Sequence, residues 1–342
     1  MSEAPPVRVG VVGTGFIARF HLMLLAGTAH RNEVVAVYDT DPERAAAFAA
    51  DTGATVADTV EALCDQVDAV FVCTWTSAHH PAVATAVAAG KAVFCEKPLA
   101  PDLAQAEALC ALVEGSGVTN QVGLVLRRSP AFTLARQLLA DPAAGRVMAV
   151  ILRDDQFIPT QGMYGSDWRA DPAKAGAGTV IEHSIHDVDL LEWLVGPIDK
   201  VCSWTREFHA IDGIEDAATA SFSFASGAVG SMVSVWHDVL ERPSLRHVEI
   251  LAERLHVTVE GDWFGPVRWT LTGQGEQVLD GADLLAALVP ALPEGGNPDG
   301  EFLAAVAEGR PASPAVGEAL RAHRLVDALY RSAAADGTPV AP

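Results

Sequence analysis

Up to about residue 123, short apolar runs alternate with stretches of helical periodicity. Val7–Val12, Val34–Tyr38, Ala69–Cys73, Ala92–Cys95 and Thr119–Val122 are β-branched and unbroken by charge, as strands covered on both faces must be. Between them Phe16–Leu25, Pro42–Ala50, Ala82–Ala89 and Leu103–Val113 carry the apolar spacing of helices, with start signals in "TDPE" and "APDL". Alternation of this kind predicts a doubly wound parallel sheet of the Rossmann type.

Beyond residue 124 the pattern changes. A helix over Ala131–Leu139 and a long strand over Val147–Gln156 are followed by a loop rich in Gly, Pro and Asp. Extended segments at short spacing then run from Ile198 to about Thr272, with "ASG" in "AATASFSFASGAVGSMVSVW" reading as a hairpin turn. This half is α+β, with an open and predominantly antiparallel sheet. Gln274–Asn297 reads as surface with one short apolar helix, and a closing helix is expected over about 313–334. The expected division is therefore 1–123 and 124–342.

Composition narrows the function. A formal charge of −21 over 342 residues argues against nucleic-acid and anionic-membrane partners, which need clustered Lys and Arg. Five scattered cysteines without a C-x-x-C point to a reducing, cytoplasmic setting rather than to disulfides or thiolate metal sites. No apolar run is long enough to span a membrane, and the N-terminus lacks the charged and apolar regions of an export signal. An enzyme acting on a small molecule fits these limits.

"VRVGVVGTGFIARFH" places Gly13-x-Gly15-x-x-Ala18 after the first strand and at the start of a helix, with Asp39 ending the second strand. A glycine motif alone also serves as a tight turn. In this context it predicts a dinucleotide site: Gly15 admits the pyrophosphate to the backbone, and Phe16 and Ile17 offer N–H donors at the helix start. A carboxylate at Asp39 can accept from both ribose hydroxyls and repels a 2′-phosphate; Thr40, not a cation, follows it. NAD(H) is expected over NADP(H).

"AVFCEKPLAPD" puts Glu96-Lys97-Pro98 at the end of the fifth strand, where ligands sit on such sheets. A lysine there can hold a substrate oxygen and stabilise charge developing on it. The tripeptide by itself reads equally well as a surface lysine in a turn. The stretch "IEHSIHDVD" crowds two histidines among three carboxylates. Glu182, His186 and Asp189 share a face at helical spacing, which admits a metal site, a proton-transfer pair or a solvated helix face. His237, alternating with Val235 along a strand, Gln156 near the end of its strand and Arg127 at the domain junction are further polar candidates for substrate contact.

Taken together, G-x-G-x-x-A, "CTWTSAHH", "EKPLA" and "WRADPAKAGAGTVIEHSIHDVD" resemble the glucose-fructose oxidoreductase, inositol dehydrogenase and rhizopine catabolism (Gfo/Idh/MocA) family over nearly the whole chain. The resemblance implies an N-terminal Rossmann domain for the nicotinamide cofactor and a C-terminal domain whose sheet covers the substrate cleft. It also implies oxidation or reduction of a hydroxyl on a sugar, cyclitol or related polyol. By the same resemblance Lys97 bonds the reacting oxygen and Glu96 lies by the nicotinamide ribose, while Thr74, Trp75, Thr76 and His79 line the cofactor. Trp168 and Arg169 flank the nicotinamide end, His186 is the general base, and Glu182 orients it or binds a neighbouring hydroxyl. Some relatives hydrolyse glycosides through transient oxidation and others only sense ligands, so both remain alternatives.

The chain departs from the family pattern where Glu182 and His183 replace the usual Asp and its neighbour, and where "AGAG" stands for Gly-Gly-Gly. Those departures are where substrate preference is expected, with His183 as a substrate contact. No metal is expected, because nicotinamide takes the hydride and an imidazole can take the proton. A homodimer or homotetramer is implied by the resemblance alone. Asp187 and Glu192 are expected on the helix's wet side, and His21 as structural or surface.

Overall fold

The computed structural model describes residues 5–161 and 165–342. Two compact units divide the chain: Met1–Leu124 with Asn297–Leu320, and Val125–Gly296 with Arg321–Pro342.

The first unit runs β1 (Val7–Val12), α1 (Phe16–Ala26), β2 (Asn32–Tyr38), α2 (Pro42–Thr52), β3 (Thr55–Val56), α3 (Val60–Cys64), β4 (Ala69–Val72), α4 (His79–Ala88), β5 (Ala92–Cys95), α5 (Leu103–Ser116) and β6 (Asn120–Val122). Its six strands are all parallel in the order β3-β2-β1-β4-β5-β6, so both faces are covered and the strand order reverses at β1 and β4. Successive strand residues feed opposite cores. Val70, Val72 and Val93 pack with Leu63, Ala86 and Leu109 on one face, while Phe71 and Phe94 pack with Leu25 and Phe302 on the other.

The second unit contains α6 (Pro130–Ala140), β7 (Val147–Phe157), α7 (Pro172–Ala175), α8 (Thr179–Glu182), α9 (Ser184–Val195), β8 (Ile198–Arg206), β9 (Ala217–Phe224), β10 (Val229–His237), β11 (Leu245–Ala252), β12 (Leu255–Glu260), β13 (Val267–Leu271), β14 (Gln277–Leu279) and α10 (Gly281–Leu288). Its eight strands lie in the order β14-β13-β12-β11-β7-β10-β9-β8. Every neighbouring pair is antiparallel except β7 with β10, which run parallel at the centre. The expected "ASG" hairpin joins β9 to β10, with Gly227 at φ +89° where a side chain would be strained. One face of the sheet packs Val150, Met232, Val248 and Phe222 against helix residues such as Ile181, Val188 and Leu191. The opposite strand positions leave Ile151, Val229 and Val233 exposed.

Two helices follow, α11 (Pro298–Glu308) and α12 (Val316–Ala334). Helix α11 lay outside the elements read from the sequence, and it sends Phe302, Leu303 and Ala305 into the core of the first unit. The expected split into 1–123 and 124–342 therefore differs from the structure at Asn297–Leu320, which returns to the first unit because that apolar face is buried there. Among the described residues no helix is long and apolar enough to cross a membrane.

Candidate active site

The glycine loop of the first unit is shaped by two close approaches. Gly13 has φ +85°, and a Cβ there would lie 2.8 Å from the backbone of Cys73 and Thr74, so only glycine fits between β1 and the end of β4. A Cβ on Gly15 would meet nothing within 4 Å, which leaves the backbone open to a ligand. Gly15 caps α1 without a side-chain bond, and the first turn of α1 holds no carboxylate to compete with an anion. Asp39 closes the loop: its Oδ2 accepts from the Thr14 N–H at 2.7 Å and hydroxyl at 3.0 Å, and its Oδ1 accepts from the Asp41 N–H at 2.9 Å. Phe16 is exposed and Ile17 half-buried. This donor set fits the pyrophosphate and diol of a dinucleotide and places an uncompensated carboxylate against a 2′-phosphate.

At the end of β5, Lys97 is half-buried between buried Glu96 and Pro98. Glu96 Oε2 accepts from the Lys97 N–H at 3.2 Å, and a Cβ on Gly123 would come within 2.5 Å of Glu96 Oε1, so the missing side chain at Gly123 makes room for the carboxylate. His79 is buried, its Nδ1 lying 2.8 Å from the Pro98 carbonyl and its Nε2 3.1 Å from the Thr74 carbonyl. Its ring thus ties the loop after β4 to the loop after β5. Thr76 is buried as well, while Thr74 and Trp75 are half-buried.

The sequence reading missed what lies beneath Glu96. His21 of α1 is 2% exposed; its Nε2 is 3.0 Å from Glu96 Oε1, and its Nδ1 is 3.0 and 2.9 Å from the two oxygens of Asp299 on α11. Burial disfavours a charged ring, but Asp299 and then Glu96 outweigh it and push the His21 pKa up to about 10. Burial likewise opposes ionisation of Glu96, yet its bond to His21 holds the carboxyl below its ordinary value. Burial raises the Asp299 carboxyl. A raised folded-state pKa on His21 contributes stability that is complete below about 6.5 and is lost as pH rises through about 10. His21→Leu leaves two buried carboxylates side by side and is expected to cost about 3–5 kcal/mol. Urea midpoints at pH 7 measure this, and an unchanged midpoint would show that the charge cluster does not hold the fold.

In the second unit a run of caps builds the approach to α9. Glu215 accepts from the Gly178 and Val180 N–H groups at 2.8 Å each, and the Tyr330 hydroxyl donates to Glu215 at 2.9 Å while accepting from Ile181 N–H at 3.2 Å. A Cβ on Gly178 would come within 1.8 Å of the Glu215 carbonyl oxygen, so the second glycine of "AGAG" is obligatory. Ala177, where the family pattern has glycine, is not in the left-handed region.

The helix expected through "IEHSIHDVD" is broken. Glu182 ends α8, His183 (φ −112°, ψ −52°) intervenes, and α9 begins at Ser184. Glu182 is 1% exposed and its Oε2 accepts from Arg169 Nε at 2.9 Å, while the Arg169 guanidinium stacks 4.1 Å from the Trp168 ring centroid. Glu182, Arg169 and Trp168 are therefore brought together, with Glu182 committed to a cation. His183 accepts at Nδ1 from the Trp236 indole N–H at 2.7 Å. His186 is half-buried on the first turn of α9. Gln156 donates to Asp154 at 2.7 Å and pairs across strands with Trp236, which puts it on the sheet's helix-covered side.

The expectation for Asp187 and Glu192 is corrected, and Arg127 and His237 are found with protein partners in the second unit. Asp187 and Glu192 are not a wet face: Asp187 is fully buried against Arg246 at 2.7 Å, and Glu192 pairs with Arg321 at 2.7 Å. Arg246 also binds Asp154 at 3.1 Å and Asp262, one cation thus holding three carboxylates under α9. Arg127, expected at the substrate, makes a fork of 2.8 and 2.6 Å to Asp189 and anchors the start of the unit to α9. His237 occupies the strand face opposite Trp236; it lies 3.6 Å from Asp155, accepts from the Val239 N–H at 3.2 Å and packs edge-on against Phe157, so the structure does not bring it to His183 and His186. The signal for Asp187 and Asp189 was the pairing of a helix acid with a distant Arg, which no local pattern reveals. Among the described residues no group of His, Cys, Asp and Glu is placed to hold a metal ion.

Comparison with known proteins gives these sites their context. The profile of the oxidoreductase family with an NAD-binding Rossmann fold matches residues 7–124, and that of the GFO/IDH/MocA C-terminal domain matches residues 132–261. The chain is similar to 1,5-anhydro-D-fructose reductase of Ensifer adhaerens, at 30% identity over 65% of this chain and 67% of that protein. It is similar to inositol 2-dehydrogenase of Rhizobium meliloti (strain 1021), at 27% identity over 96% of this chain and 97% of that protein. Among solved structures, levoglucosan dehydrogenase in complex with NADH and L-sorbose shares the fold at a TM-score of 0.87 and 22% identity, covering 99% of both chains. With both halves matched and a relative aligned from end to end, the chain belongs to the Gfo/Idh/MocA family of oxidoreductases.

Proposed function

We propose that this protein is an NAD(H)-dependent dehydrogenase or reductase acting on a secondary hydroxyl of a sugar, cyclitol or related polyol. The observation that carries the reading is the dinucleotide loop, in which Gly13 is sterically obligatory, Gly15 is open and Asp39 stands at the end of β2. Relatives named for inositol and anhydrofructose support the substrate class. Gly13, Gly15, Phe16 and Ile17 would hold the pyrophosphate and Asp39 the ribose, with Thr74, Trp75, Thr76, Glu96, Trp168 and Arg169 serving the rest of the cofactor. In that site the nicotinamide ring would supply the hydride acceptor for oxidation of the carbinol carbon and, reduced, the hydride donor for the reverse direction.

The chain's own residues supply proton handling and position. Lys97 donates to the reacting oxygen and stabilises charge on it. His186 accepts the hydroxyl proton during oxidation and gives it back during reduction. Glu182 acts through Arg169, whose guanidinium it holds against Trp168. The reading carries a reducing, cytoplasmic setting, supported by five free cysteines, and a homo-oligomer, supported by the exposed Ile151, Val229 and Val233.

Two measurements test the proposal. Fluorescence titration should give a dissociation constant for NADH at least about tenfold below that for NADPH, the cost of roughly one unfavourable charge contact at Asp39. Tighter NADPH binding would overturn the cofactor assignment. Ring polyols and aldoses, including inositol and levoglucosan, should then be screened for net NADH formation, with ketosugars for the reverse direction. Turnover of glycosides to hydrolysed product without net NADH would replace the dehydrogenase reading with a hydrolytic one.

A further inference from the structure

Two histidines stand three residues apart at the α8 to α9 junction, and the proposed chemistry gives a role to only one. The other, His183, is not interchangeable with it. An indole nitrogen can only donate a hydrogen bond. Because Trp236 Nε1–H donates to His183 Nδ1 at 2.7 Å, that nitrogen presents its lone pair and the ring proton resides on Nε2, an assignment made from the hydrogen-bond partner.

The lock is rigid on both sides. Trp236 is 2% exposed, packs with Ile158, Ala175 and Ile214, and its backbone N–H donates to the Asp216 carbonyl at 2.7 Å. The indole therefore has no room to turn its donor away. His183 is tied at its N–H to the Thr179 carbonyl and at its carbonyl to the His186 N–H, each at 3.0 Å. The two rings meet edge to face, 88° apart with centroids separated by 5.6 Å, and His183 as a residue is half-buried.

The geometry points to His183 as a specificity-determining hydrogen-bond donor whose Nε2–H reads an oxygen of the polyol substrate, with Trp236 as the residue that fixes its tautomer. This rests on the dehydrogenase reading for the identity of the ligand, but not for the tautomer. It follows that His183 cannot be the proton acceptor, since its only basic nitrogen is already engaged by the indole; that role falls to His186. A substrate oxygen whose own hydrogen points toward His183 is rejected, because two donors would face each other.

The tautomer is tested without turnover. In protein labelled with nitrogen-15 histidine, His183 is assigned by the signals lost in His183→Gln, and its proton is expected on Nε2 with Nδ1 unprotonated. Trp236→Phe should abolish that preference. A proton on Nδ1 in the native protein overturns the inference. For the substrate half, the probe is the first compound of the panel above that reduces NAD. His183→Phe should raise its KM roughly tenfold, the loss of one hydrogen bond, while the KM for NAD and kcat change less than about threefold. His183→Gln, which keeps an N–H donor, should recover most of the loss. An unchanged polyol KM in His183→Phe, or a collapse of kcat in both variants, overturns the donor assignment. Absence of turnover on every compound sinks the dehydrogenase reading and the substrate half with it, while the spectrum still decides the tautomer.

Discussion

Lys97→Met is expected to lower kcat by roughly 10²–10³-fold, the cost of removing one preorganised donor from a developing oxyanion. Methionine keeps the unbranched length of the side chain and removes its charge, so the substitution isolates electrostatics from packing. The backbone around it has its own supports: the Lys97 N–H is bonded to Glu96, Glu96 to His21, and the Pro98 carbonyl faces His79. None of these uses the ammonium group. The glycine loop and Asp39 lie on other strands, so the dissociation constant for NADH should stay within about threefold of native. Steady-state rates on an active polyol together with NADH titration check both halves. Unchanged turnover would return Lys97 to the reading of a lysine in a turn.

His186→Ala is expected to cost roughly 10²–10⁴-fold in kcat, the usual contribution of a positioned acid-base group. The variant should fold, because α9 is held by contacts that do not involve the imidazole: Arg127 grips Asp189, Arg246 grips Asp187, and Val188, Leu190 and Leu191 are fully buried. An equal melting temperature with collapsed turnover is the expected pair of results. Full activity in His186→Ala would favour the solvated-face reading of the motif, and loss confined to KM would make the residue a substrate contact instead.

The first unit was largely legible because its signals are local. Buried parallel strands announce themselves as unbroken β-branched runs, and Val7–Val12 and Ala92–Cys95 appear with the bounds their pattern suggests. Helix α11 was missed although it carries a start signal: Asn297 caps Asp299 and Gly300 N–H groups at 3.0 and 3.1 Å, with Pro298 in the first turn. The Gly- and Pro-rich stretch before it has the composition of a loop and obscures that signal. In the second unit the motif was visible and its geometry was not. Spacing alone made Glu182 and His186 neighbours on one helix face, whereas the break at His183 turns Glu182 inward to Arg169. Acidic residues on a helix look the same in sequence whether they meet water or a buried guanidinium. Asp187 and Glu192 meet Arg246 and Arg321, 59 and 129 positions away, and no periodicity reports a partner at that range.

The return of α11 to the first unit bears on how the chain is made. A ribosome that has released β1 through β6 has delivered every strand of the parallel sheet, yet neither Phe302 for its aromatic core nor Asp299 for His21 has emerged. Until then His21 faces Glu96 alone and one apolar side of the sheet is open. Synthesis of the whole second sheet intervenes before that side closes, so the nascent protein spends most of its translation with a cofactor domain assembled in outline and unsealed, the interval in which a holding chaperone has something to hold.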